Sequence, residues 1–195
     1  MSEWVVQDRA QIVSKLVEAS VKHRWEAATL VIARADEPIV DDILGQAISA
    51  VELYSHPENR AGLRSMLHET AAQILKQSKP GTPHQLTALR ATVTTADSDA
   101  DLAAAAGLLV DRDVPDGIVV DQDLRWFLVR RLAAAGRFDE AAITAESSGD
   151  RTDVGMRKAA AARASRPDPV AKEAAWQRLT DPDTPLATQK ALISG

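Results

Sequence analysis

Apolar residues recur along this chain every three or four positions, and proline, glycine and short polar clusters separate the stretches in which they do so. That rhythm predicts about ten helices. The first covers 4–21, with Val5, Ile12, Val13, Leu16 and Val17 near one face, and the second covers 25–35 and stops before Pro38. Pro38 suits the first turn of a third helix, which runs through Ile39, Ile43, Leu44, Ile48 and Val51 to Tyr54. Ser55-His56-Pro57-Glu58 has the form of a capping box: Ser55 is expected to bond the Glu58 amide, and the Glu58 side chain to reach back to Ser55. The fourth helix then carries Leu63, Leu67, Ala71, Ile74 and Leu75 as far as Lys79-Pro80-Gly81. Thr82-Pro83-His84-Gln85 repeats the start signal and opens a fifth through Leu86, Leu89 and Val93. Ser98 or Asp99 starts a sixth that ends near Leu109, and a loop over 114–120 contains the turn Pro115-Asp116-Gly117. The remaining helices cover 121–136, 138–147, 152–166 and 170–179, and a short segment follows Pro185, placed at its first turn.

The segment from Asp121 to Gly136 is the most complete of these. Asp121 and Asp123 cap or neutralise its start, and Gly136 stops it. Leu124, Phe127, Leu128 and Leu132 form a core stripe at helical spacing, and Trp126, Val129 and Ala133 widen it. No run alternates with a period of two for long enough to be a strand; Ile118-Val119-Val120 is too short. Helices of this length joined by short loops should pack as antiparallel neighbours. The expected fold is therefore all-α: antiparallel helix pairs stacked as a HEAT- or armadillo-like α-solenoid, with 1–195 as one helical-repeat domain.

Composition supports that fold and narrows the function. Aromatics are only 4% of the chain, so alanine, leucine and valine must fill most of the interior. A net charge of −5 gives no general attraction to nucleic acid, and no Lys/Arg block compensates. There is no cysteine, hence no disulfide and no thiolate chemistry, which fits a cytoplasmic protein. No apolar segment approaches the roughly 20 residues that span a membrane. The N-terminus lacks the pattern of a secretory signal.

Motifs that carry chemistry are missing. His68-Glu69-Thr70-Ala71-Ala72 begins like a zinc-protease helix, but the second histidine such a site needs is Ala72 here, so His68 reads as a helix-surface histidine. The glycines form no phosphate loop and no nucleophile elbow. Asp41-Asp42 and the acidic residues from Asp97 to Asp101 sit at helix starts, where capping explains them. Arg125, Arg130 and Arg131 lie on an otherwise apolar helix, where a guanidinium can face an internal groove or pair with a nearby Asp.

The segment Val120-Asp121-Gln122-Asp123-Leu124-Arg125-Trp126 resembles the C-terminal helical domain of the actinobacterial aminopeptidase N group, within the M1 zinc metallopeptidase family. Pieces in the same order flank it: Ala50-Val51-Glu52-Leu53-Tyr54, Pro57-Glu58-Asn59-Arg60, Pro83-His84-Gln85-Leu86 and Gly107-Leu108-Leu109 upstream, and Arg131 to Arg137, Ala159 to Ala164, Arg166-Pro167 and Lys172 to Trp176 downstream. The likeness covers most of the chain from about residue 50 onward, whereas 1–40 match only in helical character. It implies a non-catalytic C-terminal piece of a larger aminopeptidase, inactive on its own, that encloses the substrate cavity and limits peptide access. Its partners would be the catalytic domain of the same polypeptide and peptide substrates. Zinc would belong to that absent catalytic domain, and none of the catalytic, metal or cofactor residues would lie in this chain. Arg125 is the candidate peptide-cavity contact. The ending Ile193-Ser194-Gly195 is expected to continue into further helices.

A second class of reading is a free-standing TPR-like interaction domain. Leu132 to Ala141 resembles the turn inside one TPR unit, with Gly136 as the left-handed residue. The 34-residue recurrence such an array requires is not found.

Overall fold

The computed structural model describes residues 37–195. The two helices expected before Pro38 lie outside the described residues. Among the described residues there is no strand, and the fold is all-α. Helix α1 (Glu37–Ser49) runs into a π-helical turn (Ala50–Tyr54). Then follow α2 (Pro57–Gln77), α3 (Pro83–Thr95), α4 (Asp99–Leu108), α5 (Gln122–Ala134), α6 (Glu140–Gly149), α7 (Asp153–Ser165), α8 (Pro169–Thr180) and α9 (Leu186–Ile193). None of these helices is long and apolar enough to cross a membrane. The described residues divide into two compact units: one runs up to Ala96 and takes in Pro115–Ile118, and the other is Asp97–Val114 with Val119–Gly195.

The helix boundaries follow from caps. Thr82 Oγ1 accepts from the Gln85 amide at 3.3 Å and Ser98 Oγ from Asp101 at 3.1 Å. Asp121 Oδ1 accepts from Leu124 at 2.8 Å, and Thr152 Oγ1 from Gly155 at 3.0 Å. Each satisfies an amide that the first turn of a helix leaves without a partner. Asp139 caps α6 through Ala142 at 2.9 Å, so that helix starts two residues later than its apolar pattern indicates. The end of α5 is a Schellman motif. Arg137 N–H reaches Leu132 O at 2.8 Å, Gly136 N–H reaches Ala133 O at 2.9 Å, and Gly136 supplies the left-handed φ of +70°.

One start signal behaves differently from its sequence form. Ser55 does not cap α2. Its backbone is extended and its hydroxyl turns back to the Val51 carbonyl, closing the π-helical turn. His56 occupies the cap position instead, with Nδ1 3.4 Å from the Glu58 amide. The expected single helix through Tyr54 likewise widens to π geometry over its last five residues, with Val51 buried and Glu52 in a bidentate pair with Arg64 of α2 at 2.9 and 2.6 Å.

In the first unit, Val40, Ile43 and Leu44 of α1 meet Ala71 and Ile74 of α2 and Ala88 and Ala91 of α3 in one core. The pairing of α2 with α3 is the most extensive, and α1 packs on both. In the second unit, α7 is the hub. It packs against α5 and α9, and α6 and α8 also lie on it. Neighbours two helices apart in sequence thus form one row (α5, α7, α9), an arrangement compatible with a solenoid-like stack of helix pairs.

Composition explains why one helix can have so many neighbours. Ala159, Ala160, Ala161, Ala162 and Ala164 of α7 are all buried. Side chains that end at Cβ let surrounding helices come close, and alanine gives up nothing in helix propensity. Enlarging one of them should be felt at once. Ala162→Leu, at a fully buried position, should cost about 1–3 kcal/mol by overpacking, read from urea unfolding. A loss below about 0.5 kcal/mol would show that this face of α7 has room to spare.

Candidate functional site

The residues singled out in sequence converge on the first turns of α5. Leu124, Trp126, Leu128, Val129, Leu132 and Ala133 are buried, while Phe127, expected in the core stripe, is only half-buried. Trp126 is 2% exposed. A buried indole needs a partner for its N–H. Trp126 donates from Nε1 to Asp150 Oδ2 at 2.8 Å. The other carboxylate oxygen of Asp150 accepts from the Thr152 hydroxyl at 2.7 Å and the Thr152 amide at 3.3 Å. Thr152 Oγ1 in turn accepts from the Gly155 amide, so an unbroken line of hydrogen bonds joins the α5 indole to the first turn of α7.

Asp150 can fold back this closely only because residue 155 has no side chain. A Cβ there would lie 2.4 Å from both the carboxyl carbon and the carbonyl oxygen of Asp150. The Thr152 hydroxyl first, and then the Trp126 indole, hold the Asp150 carboxyl below its ordinary pKa, against the opposing effect of burial.

Arg125 lies beside this corner and is fully engaged. Its Nε and Nη2 each donate to the Glu146 carboxylate of α6 at 2.8 Å, and Nη1 donates to the Leu109 carbonyl at the end of α4 at 3.1 Å. Its bonds to Glu146 raise the guanidinium above its ordinary pKa, and the same bonds lower Glu146. The pair therefore stays charged throughout the neutral range, and Arg125 ties α4, α5 and α6 together. Arg130 reaches the Ser194 carbonyl at 3.3 Å. Asp123 pairs with Lys158 of α7 at 3.0 Å.

His68 is not a plain surface residue. It is half-buried between α2 and α3, with Nδ1 3.1 Å from the Thr92 carbonyl. The Thr95 hydroxyl lies 3.3 Å from the same nitrogen. Among the described residues no three of the types His, Cys, Asp and Glu are gathered as metal ligands. In the first unit an open groove of about 450 Å³ runs along α1 and the π-helical turn, between Asp41, Asp42, Gln46 and Tyr54. Nothing in its lining suggests a reaction.

Residues 5–195 match the family described as the ERAP1-like C-terminal domain. The chain belongs to this family. It is also 37% identical over 162 residues to Aminopeptidase N of Streptomyces lividans, an overlap that takes in 83% of this chain. The chain spans about a fifth of the length of that relative, 19%. These findings make it a C-terminal domain of the M1 aminopeptidase type, and the resemblance carried by Val120 to Trp126 is the correct one. In this ERAP1-like C-terminal domain the Trp126–Asp150 corner and the Arg125–Glu146 pair tie helix α5 to the loop before α7 and to α6.

Sequence reading missed Asp150 and Glu146 as partners of α5, and Thr152 as the residue that holds Asp150. Gly149-Asp150-Arg151-Thr152 looks like an ordinary loop before a helix cap, and nothing local says that its carboxylate meets an indole 24 residues earlier. The one available hint was the pairing rule itself: a buried tryptophan on an all-helical core demands an acceptor from a loop, and Asp150 is an acidic residue in the next loop but one.

Two measurements test this corner. Trp126→Ala should cost about 3–5 kcal/mol in urea unfolding, and a loss under about 1 kcal/mol would place the ring at the periphery. Because the folded pKa of Asp150 is lowered, its stabilisation is complete above the ordinary value of about 3.9 and is lost as pH falls through the lowered folded value. Asp150→Asn should therefore be less stable than wild type at pH 7, with the gap closing below about pH 4. A gap of the same size at both ends would show that the carboxylate's charge is irrelevant.

Proposed function

We propose that this chain is the non-catalytic helical domain of a zinc aminopeptidase, and that it encloses the substrate cavity and limits access to peptides. The observation that carries this reading is the family match over 5–195, supported by the relative named Aminopeptidase N. The same match favours it over a TPR-like interaction domain, because the Gly136 turn fits any helical hairpin. On this reading both compact units form a single helical-repeat domain of the HEAT kind. The catalytic domain belongs to the same polypeptide, which works in the cytoplasm on peptides.

Zinc would be held in that catalytic domain. Among the described residues of this chain no group of His, Asp and Glu is gathered as metal ligands. What this chain's residues supply is a wall. A wall must keep its shape, and the Arg125–Glu146 pair and the Trp126–Asp150 bond fix α5 to its neighbours at both a surface and a buried point. Arg125 keeps its place as the candidate peptide contact through the part of its side chain that remains exposed, 30%.

The test compares the full-length aminopeptidase with and without this domain on a series of peptides of increasing length. Removal of the domain should raise kcat/KM for long peptides relative to short ones; an unchanged length profile would overturn the enclosing role. The 195-residue chain alone should release no N-terminal residue from any of the peptides, and robust release would overturn the non-catalytic assignment. In the full-length enzyme, Arg125→Ala should raise KM for the longer peptides and leave a single-residue chromogenic substrate unaffected.

A further inference from the structure

The Pro115–Ile118 loop is the only part of the chain beyond Ala96 that belongs to the first unit. Its own side chains do little to hold it: Asp116 and Gly117 are exposed, and Pro115 and Ile118 only half-buried. Its internal bond is a single turn contact, Ile118 N–H to Pro115 O at 3.0 Å. One buried side chain hydrogen-bonds it to the rest of the unit. Gln85, 4% exposed on the first turn of α3, donates from Nε2 to the Asp116 carbonyl at 2.9 Å and accepts on Oε1 from the Gly81 amide at 2.9 Å.

Beside that grip two glycines lie backbone to backbone. Gly81 and Gly117 have φ of +74° and +83°, and a Cβ on Gly117 would fall 2.2 Å from the Gly81 nitrogen and 2.7 Å from the Pro80 carbonyl carbon. The chain leading into the loop is itself conformationally unusual: Asp111 and Asp113 hold φ of +55° and +53°, a region that costs non-glycine residues free energy.

We propose that Pro115–Ile118 is a detachable strap, and that Gln85 sets how often it lets go. The chemistry divides cleanly between the two ends of one amide. The oxygen secures Gly81 and the α2–α3 connection; the nitrogen secures the strap. The amide of Gln85, shielded from water, holds the strap in place. Local opening of this kind needs no loss of the α1–α3 core.

Residue-resolved amide exchange on the full 195-residue chain tests this. Gln85→Glu keeps the acceptor for Gly81 and removes the donor for Asp116. Exchange at the Ile118 amide should then accelerate about 10- to 100-fold, the factor expected for one lost buried hydrogen bond, while Gly81 and the α3 amide of Leu89 stay protected. Gly117→Ala, whose Cβ would press the strap away from the Gly81 and Pro80 backbone, should accelerate Ile118 in the same way with Leu89 unchanged. An unaltered Ile118 rate in Gln85→Glu overturns the proposal. So does acceleration of Ile118 and Leu89 by the same factor in both variants, since the strap would then open only with the whole unit.

Discussion

The second unit depends on the close approach of helix backbones along α7. Five buried alanines leave the packed face of that helix without a large side chain over 159–164, and α5, α6, α8 and α9 all rest on it. Packing of this kind is unforgiving in both directions. A larger residue has nowhere to go, and a smaller one would surrender helix propensity. The large side chains needed to fill the interior are supplied by the neighbours, by Leu124, Leu128 and Leu132 of α5 and Leu192 of α9. The low aromatic content of the chain is the compositional face of the same arrangement.

Alanine contacts are weakly directional, so something else must fix how α5 is set against α7. The polar line from Trp126 through Asp150 and Thr152 to Gly155 does this at a depth where water cannot substitute for a partner. At the more exposed end, Arg125 joins Glu146 to the Leu109 carbonyl that follows α4. Two devices of different character, one neutral donor on a carboxylate and one charged fork on another, hold the same helix. For a domain proposed to wall a chamber, fixed helix positions matter more than any one exposed residue.

Much of this fold was legible in the sequence because helix starts and stops are local chemistry. Thr82, Ser98, Asp121, Thr152 and Gly136 all do what their neighbours in sequence predict. Ser55 shows the limit of that logic. Its hydroxyl had two candidate partners within five residues, an amide ahead and a carbonyl behind, and the widened π turn exposed the Val51 carbonyl to it. Arg125 shows another limit. Its position on an apolar helix announced an ion pair, but the acceptor is Glu146 rather than an aspartate, and identifying it required the packing of α6. Phe127 fell outside the fully buried set because a stripe drawn at helical spacing cannot tell the centre of an interface from its edge.

The alanine core of α7 also has a thermal consequence. Heat capacity rises on unfolding in proportion to the apolar surface that meets water. A helix packed through methyl groups hides less of that surface per residue than one packed through leucine. The stability of the second unit should therefore trace a flatter curve with temperature, holding its value over a broad range instead of peaking sharply.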